Sequence, residues 1–169
     1  MKVCRILIAD RDPHTHTRVC HALKELRLPR YVDAVDFRVE RAATSEEAIQ
    51  RIARNAPHIV VLEHHAPGLD SCAILRTLKR DYPHTTAIVA ATRPSIPAAV
   101  QAIQLGAAEF LAKPLSAPQF REILADAVTH HMRDLAHSDC PPARSPARTL
   151  MRIPAALARL ATTAVSLHY

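Results

Sequence analysis

A chain of 169 residues is long enough for one domain with a substantial hydrophobic core and a short appendage. Because 49% of the residues are hydrophobic but only 4% are aromatic, this core must consist of aliphatic side chains. The net charge of +6 permits contact with nucleic acid or acidic partners without requiring it. No apolar run approaches the ~20 residues of a membrane span or has the pattern of a signal peptide, so we expect a cytoplasmic protein.

The first half of the chain alternates short apolar runs with segments of helical periodicity. Residues 3–9 predict a buried strand that ends at Asp10. Asp12 followed by Pro13 is typical of a helix start, and apolar residues at helical spacing follow it. Residues 37–42 predict a second strand, and residues 44–47 open a second helix.

The second half repeats the same alternation. Residues 58–62 and 86–91 predict buried strands, each followed by a helix, and residues 108–111 predict a last short strand before a helix over about 116–131. Short buried strands that alternate with helices favour a parallel sheet covered on both faces. Five such units predict an α/β fold with a doubly wound, five-stranded parallel sheet.

Polar side chains follow four of these strands. Ligands of doubly wound sheets bind outside the carboxyl ends of the strands, so the residues just past each strand are the candidates for a site. They are Asp10, Arg11 and Asp12 after the first strand, Glu63 after the third, Thr92 after the fourth and Lys113 after the fifth. Carboxylates, a hydroxyl and a lysine at one sheet edge indicate phosphoryl-transfer or metal chemistry.

Four motifs in chain order resemble the receiver domain of two-component response regulators, over about residues 3–130. They are ILIADRDP, IVVLEHHAPGLD, AIVAAT and AVQAIQLGAAEFLAKPL. The resemblance implies a flavodoxin-like fold in which a βα unit occurs five times. It also implies a site where two acids hold Mg²⁺ and an aspartate accepts a phosphoryl group from a histidine kinase.

The resemblance assigns a role to each candidate residue. It puts Glu63 at the phosphoacceptor position and makes the stretch from Asp10 to Asp12 the acidic pocket. Thr92 and Lys113 take the positions that grip the phosphoryl oxygens, and Phe110 that of the switch aromatic, which we expect to pack inward. In the family, the bond corresponding to Lys113-Pro114 is usually cis.

Two departures from the family pattern fall on the same site. Glu63 replaces aspartate, so its carboxylate lies roughly 1.5 Å further out, and a 1 Å error in a nucleophile costs on the order of a hundredfold in rate. Arg11 replaces an acid with a cation where Mg²⁺ needs oxygen. We therefore expect weak or lost Mg²⁺ binding, no cofactor, and Glu63 paired with Arg11 and Lys113. This pairing leaves open an active-state mimic, a plain salt bridge in a decayed site, or residual phosphotransfer.

Histidines provide no convincing metal site in the sequence. His64 is adjacent to His65, and His130 to His131, and neighbouring histidines seldom converge on one ion. We therefore predict no metal ligands among them.

The C-terminal part differs in composition from the rest. We assign residues 1–131 to the receiver-like domain, 132–148 to a linker rich in Pro and Arg, and 149–169 to an amphipathic helix. The apolar face of this helix includes Ile153, Leu157 and Leu160. Such a face could pack on its own domain, on a second copy or on a partner.

The leading hypothesis is a non-enzymatic regulator that signals by protein–protein interaction, independently of conventional aspartyl phosphorylation. We expect a homodimer through the fourth helix, fifth strand and fifth helix, or through the C-terminal helix. One alternative is a functional phosphoacceptor. Another is a DNA-binding regulator, because five arginines face two aspartates from residue 132 on.

Overall fold

The structure is a computed structural model that describes residues 2–28 and 35–137, with side chains as far as Met132. In this part of the chain, five strands alternate with five helices. Their bounds are β1 Lys2–Ala9, α1 Pro13–Lys24, β2 Val35–Ala42, α2 Ser45–Asn55, β3 Ile59–His64, α3 Ser71–Asp81, β4 Thr86–Ala91, α4 Ile96–Gln104, β5 Glu109–Ala112 and α5 Ala117–His137.

The five strands form one parallel sheet in the order β2-β1-β3-β4-β5. The chain steps outward from β1 to β2, crosses to β3 on the other side of β1, and continues through β4 to β5. Such a reversal of winding creates a crevice at the carboxyl ends of β1 and β3. The predicted doubly wound, five-stranded parallel sheet is thus confirmed.

Each face of the sheet has its own aliphatic core. Helices α2, α3 and α4 cover one face, where Ile52 and Leu75 pack against strand residues such as Val60. Helices α1 and α5 cover the other face, where Val19 and Leu124 are completely buried. All six residues of β3 are buried, as expected for a central strand with helices on both sides.

Side-chain caps start four of the helices at the carboxyl edge of the sheet. The caps are Asp12, Thr44, Asp70 and Ser95, and each accepts a hydrogen bond from a backbone N–H in the first turn of its helix. They fix where each loop ends, so the loops that carry the candidate site are short and anchored at both ends.

Several predicted boundaries differ from the structure. β2 begins at Val35 rather than at residue 37, and β5 covers Glu109–Ala112 rather than residues 108–111. β3 continues to His64, because Glu63 and His64 pair with Ala90 and Ala91 of β4, so Glu63 lies inside the strand and not beyond it. α5 runs to His137, past the predicted helix end at about residue 131. The remainder of the linker and the helix predicted over residues 149–169 lie outside the described residues.

None of the helices within residues 2–28 and 35–137 is both long and apolar enough to cross a bilayer.

Candidate functional site

The candidate residues from four strands meet at the carboxyl edge of the sheet, around a cavity of about 600 Å³. Asp10, Thr92 and Lys113 follow β1, β4 and β5, and Glu63 stands near the end of β3 between them. The cavity is lined by Asp10, Arg11, Asp12, Glu63, His64, His65, Ala66, Pro67, Thr92, Arg93 and Lys113. The structure therefore brings together every predicted site residue except Phe110, which lies beneath in the core.

The ammonium group of Lys113 bridges two carboxylates at the floor of the cavity. Its Nζ donates to Asp10 Oδ2 at 2.6 Å and also donates to Glu63 Oε2. Burial alone would lower the pKa of Lys113, but its hydrogen bonds to the two carboxylates outweigh burial, so the pKa is raised. Lys113 therefore stays charged and serves as the shared counterion of both acids.

Asp10 is held as a carboxylate although its side chain is 99% buried. Burial acts to raise the pKa of Asp10, but hydrogen bonds from Lys113, Thr15 and the backbone N–H of Asp12 overcome it and leave the pKa lowered. The N–H of Asp12 donates to Asp10 Oδ1 at 2.8 Å. Both oxygens of Asp10 are thus occupied by donors of the chain itself.

The ionised form is less favoured for Glu63 than for Asp10. Burial raises the pKa of Glu63, and repulsion by Asp10 adds to that, although hydrogen bonds from Lys113 and Thr92 act in the opposite direction. The Thr92 hydroxyl donates to Glu63 Oε1 at 2.9 Å, while Oε2 accepts from Lys113. Both oxygens of Glu63 therefore have a donor as well.

Arg11 does not join this network, contrary to the predicted pairing with Glu63. Its Nη1 donates to the carbonyl oxygen of Pro67 at 3.1 Å, and the side chain is exposed. The physical reason is that Lys113 already neutralises Glu63 and Thr92 donates to its other oxygen, so moving the Arg11 guanidinium from solvent to that carboxylate would cost desolvation for little added stabilisation. The predicted pairing of Glu63 is correct for Lys113 and wrong for Arg11.

Asp12 lines the cavity, but one of its carboxylate oxygens caps a helix. Its Oδ1 accepts from the N–H of His14 at 2.9 Å and caps α1. Of the three residues predicted as an acidic pocket, only Asp10 therefore directs its carboxylate to Lys113.

Phe110 packs inward, as predicted, with 4% of its surface exposed. The His64 ring meets it edge-on, with ring centroids 5.7 Å apart. His64 is itself buried, and its Nδ1 lies 3.2 Å from Ser71 Oγ. The Lys113-Pro114 bond is cis, as the resemblance implied.

Sequence reasoning missed His64 and Arg93 as parts of this site. The predicted third strand ended at residue 62, so the alternation of side chains along a strand was not applied to residues 63 and 64. That alternation places His64 on the face of the sheet opposite Glu63. Arg93 directly follows Thr92 and lines the same cavity. A rule that includes the second residue past each strand would have found it.

The donor set does not fit the Mg²⁺ ion that the receiver fold implies. Mg²⁺ needs oxygen ligands in near-octahedral geometry, but the oxygens of Asp10 and Glu63 already accept from Lys113, Thr92 and the chain, and position 11 carries a cation. Among the residues that the structure describes, no group of three or more His, Cys, Asp or Glu side chains is placed to hold a metal ion.

A response regulator is among the known proteins with related sequences. The chain is 31% identical over 123 residues to the response regulator protein FleR of Pseudomonas aeruginosa, an alignment that covers 71% of this chain and 25% of FleR. The chain thus spans about a quarter of the length of this relative.

Solved receiver domains share its fold. The signal receiver domain of a putative Luxo repressor protein from Vibrio parahaemolyticus is 23% identical, with a TM-score of 0.67 over 82% of this chain and 99% of that one. The beryllofluoride-activated NtrC4 receiver domain dimer is 26% identical, with a TM-score of 0.63 over 75% of this chain and 98% of that one.

The family model for the response regulator receiver domain matches residues 6–125, which include all five strands except the first residues of β1. This range contains Glu63, Thr92 and Lys113 at the edge of the sheet. The chain therefore belongs to the response regulator receiver domain family of two-component signalling.

Proposed function

We propose that this chain is an atypical receiver that signals by binding a protein partner, without enzymatic activity and without conventional aspartyl phosphorylation. The observation that carries the proposal is the Glu63 carboxylate, which engages both Lys113 and the Thr92 hydroxyl. These are the two groups that the family uses to grip a phosphoryl group. Here a side chain of the domain itself occupies them.

The arrangement around Glu63 supports an active-like state. In the family, the hydroxyl moves toward the phosphoryl group and the aromatic swings inward. Thr92 lies within hydrogen-bond distance of Glu63, and Phe110 is buried, so both features are present together. A carboxylate carries one negative charge, about half that of a phosphoryl group, so the mimicry is partial.

The same contacts argue against phosphotransfer. A nucleophilic carboxylate must lose its hydrogen bonds to Lys113 and Thr92 before it can attack, and Lys113 is also tied to Asp10. The extra methylene of Glu63 adds the displacement of roughly 1.5 Å, since one more carbon–carbon bond separates the carboxylate from the backbone. Exposed Arg11 leaves the metal position without its second acid.

The face formed by α4, β5 and α5 is the proposed contact surface. Ile96 and Val100 of α4 are 56% and 37% exposed. Exposed large apolar side chains next to each other on one helix favour protein contact. A second copy of the chain is the proposed occupant of this face, and the NtrC4 receiver domain is itself described as a dimer.

Labelling with a small phosphodonor tests the proposal. The full chain is incubated with acetyl phosphate and Mg²⁺, and its intact mass is measured. We expect no added phosphoryl group and, with beryllofluoride and Mg²⁺, no change in the amide NMR signals around residue 63. Stoichiometric, acid-labile labelling of Glu63 would instead establish a functional phosphoacceptor.

Light scattering tests the proposed dimer. The wild-type chain should have the mass of two protomers, and Val100→Glu should have the mass of one, because a charge would be buried in the interface. Leu157→Glu distinguishes the C-terminal segment as the alternative contact. A monomeric wild-type chain excludes both forms of the dimer.

Binding to DNA through the C-terminal segment remains a separate prediction, since that segment lies outside the described residues. It is tested by the dependence of DNA affinity on salt, because each phosphate contact contributes to a steep slope. A salt-independent or absent interaction rejects it.

A further inference from the structure

The mouth of the cavity carries two arginines that no carboxylate among the described residues neutralises. Arg11 and Arg93 are exposed and line the cavity, and neither forms an ion pair with a carboxylate in the part of the chain that the structure describes. Arg11 uses one of its N–H groups on the Pro67 carbonyl. A guanidinium has five N–H donors, so most of them remain available in each side chain.

The sheet places these two arginines on opposite sides of Glu63. Arg11 stands two residues past the end of β1, and Arg93 stands two residues past the end of β4. These strands flank β3, and neighbouring strands lie about 4.8 Å apart, so the two backbones are about 10 Å apart across the mouth. Two extended arginine side chains can bridge that span to one small group.

The charges below the mouth decide which anion fits. The floor combines Lys113 with Asp10 and Glu63 and thus holds one more negative charge than positive. A phosphate dianion would be repelled by this floor and by nearby Asp12. A single carboxylate carries half that charge, and its planar pair of oxygens matches the fork of a guanidinium.

We infer that the cavity mouth binds an acidic side chain, Asp or Glu, of a protein partner, through Arg11 and Arg93 and without a metal ion. This inference rests on the proposed function, since it names the partner chemistry that the same site recognises. Arg11 then has a role in place of the lost metal ligand. The replacement converts a pocket for a cation into the rim of a pocket for an anion.

The binding test uses a peptide with one carboxylate, acetyl-Gly-Gly-Glu-Gly-Gly-amide, and a matched peptide with Gln in its place. The ¹⁵N-labelled full chain is titrated at constant ionic strength, and the side-chain Nε–H signals of the arginines are followed. We expect saturable shifts of the Arg11 and Arg93 signals with the Glu peptide alone, and the same affinity with and without Mg²⁺.

Three variants locate the site. Arg11→Gln and Arg93→Gln should each weaken Glu-peptide binding at least fivefold, a loss expected when one charge-assisted contact is removed. Arg80→Gln removes an exposed arginine of α3 that pairs with Asp81, and should leave the affinity unchanged. Equal weakening by Arg80→Gln would reveal attraction to overall charge and overturn the inference.

Other outcomes also overturn it. Identical shifts with the Gln peptide would mean that the carboxylate is not recognised, and tighter binding of inorganic phosphate at the same signals would assign the mouth to phosphate. Phosphodonor labelling is measured separately. A chain that binds the Glu peptide but accepts phosphoryl groups rejects the proposed function alone, and a chain that does neither rejects this inference alone.

Discussion

The two ends of the central strand solve the problem of buried charge in opposite ways. At the carboxyl end, Lys113 stands between Asp10 and Glu63, and all three groups are held together by opposite charge. At the amino end, His58 lies beside two further basic side chains, Arg5 and His131. The His58 and His131 rings are 4.1 Å apart, and Arg5 Nη2 is 3.0 Å from His58 Nε2.

At the amino end, the loss of a proton takes the place of a counterion. Burial, followed by the proximity of His131 and Arg5, lowers the pKa of His58 to about 4. The backbone N–H of Arg5 donates to His58 Nδ1 at 3.1 Å, which requires that nitrogen to be unprotonated. Stability at the carboxyl end therefore depends on the Lys113 counterion, whereas stability at the amino end depends on His58 being neutral.

The largest effect is expected from removing the shared cation. Lys113→Met leaves two buried carboxylates without a counterion and should lower the free energy of unfolding by about 3–5 kcal/mol at pH 7. The measurement is urea denaturation. The loss should shrink at pH 5, because Asp10 and Glu63 can then take up a proton.

Lys24→Met is the matched control, since Lys24 is exposed in the last turn of α1. We expect it to change stability by less than about 0.5 kcal/mol. Equal losses for both variants would mean that the carboxyl end does not depend on its ion network.

The second-largest effect is expected on phosphoryl labelling when aspartate is restored at position 63 and then at position 11. Glu63→Asp alone should remain unlabelled by acetyl phosphate and Mg²⁺, because Arg11 still repels the metal. Glu63→Asp combined with Arg11→Asp should be labelled at a rate on the order of a hundredfold or more above the detection limit set by the single variant, since acceptor geometry and metal charge are separate requirements. Intact-mass kinetics provide the rates, and full labelling of the single variant would show that Arg11 is no obstacle.

A smaller loss of stability is expected from His58, at the amino end of β3, when the pH is lowered. His58 titrates near 6.5 when unfolded and near 4 when folded, so the unfolded chain binds the proton first as the pH falls. The stability contributed by neutral His58 is complete above pH 6.5 and lost between pH 6.5 and about 4. We expect a loss of about 1 kcal/mol, since the site is partly solvated.

The checking measurement is the free energy of unfolding at several pH values for wild type and His58→Gln. The difference between the two should fall across this window, whereas exposed His14→Gln should follow the wild type. A difference that stays constant from pH 7 to 4 would contradict a depressed pKa at His58.

The smallest effect should come from the Thr92 hydroxyl, which takes the family position that moves together with the aromatic at Phe110. Thr92→Val leaves Glu63 Oε1 without its donor and should cost about 0.5–1 kcal/mol, because Thr92 is largely exposed. Thr92→Ser keeps the hydroxyl and should retain most of this stability. Denaturation provides the energy, and ring NMR signals of Phe110 report whether the aromatic stays inward; unchanged stability in Thr92→Val would remove the hydroxyl from the network.

Local patterns in the sequence were sufficient for most of the fold. Short apolar runs and the 3.6-residue period, with caps such as Asp12 and Thr44, predicted every described strand and helix in order, because buried strands and amphipathic helices each have a local pattern of apolar residues. The motifs likewise identified Glu63, Thr92 and Lys113 as one site, since parallel strands bring their carboxyl ends together. Only boundaries were displaced, by one or two residues at strand ends such as those of β2, β3 and β5 and by about six at the end of α5.

The tertiary structure alone decided which charges pair. Lys113 reaches Glu63 from 50 residues away and neutralises it, and Arg11 donates to the Pro67 carbonyl instead. The low pKa of His58 likewise depends first on burial and then on His131 from α5. The inward Phe110 meets His64 from another strand. Pairing of buried charges is a competition between groups distant in sequence, and its outcome depends on distances of a few ångströms that no local pattern specifies.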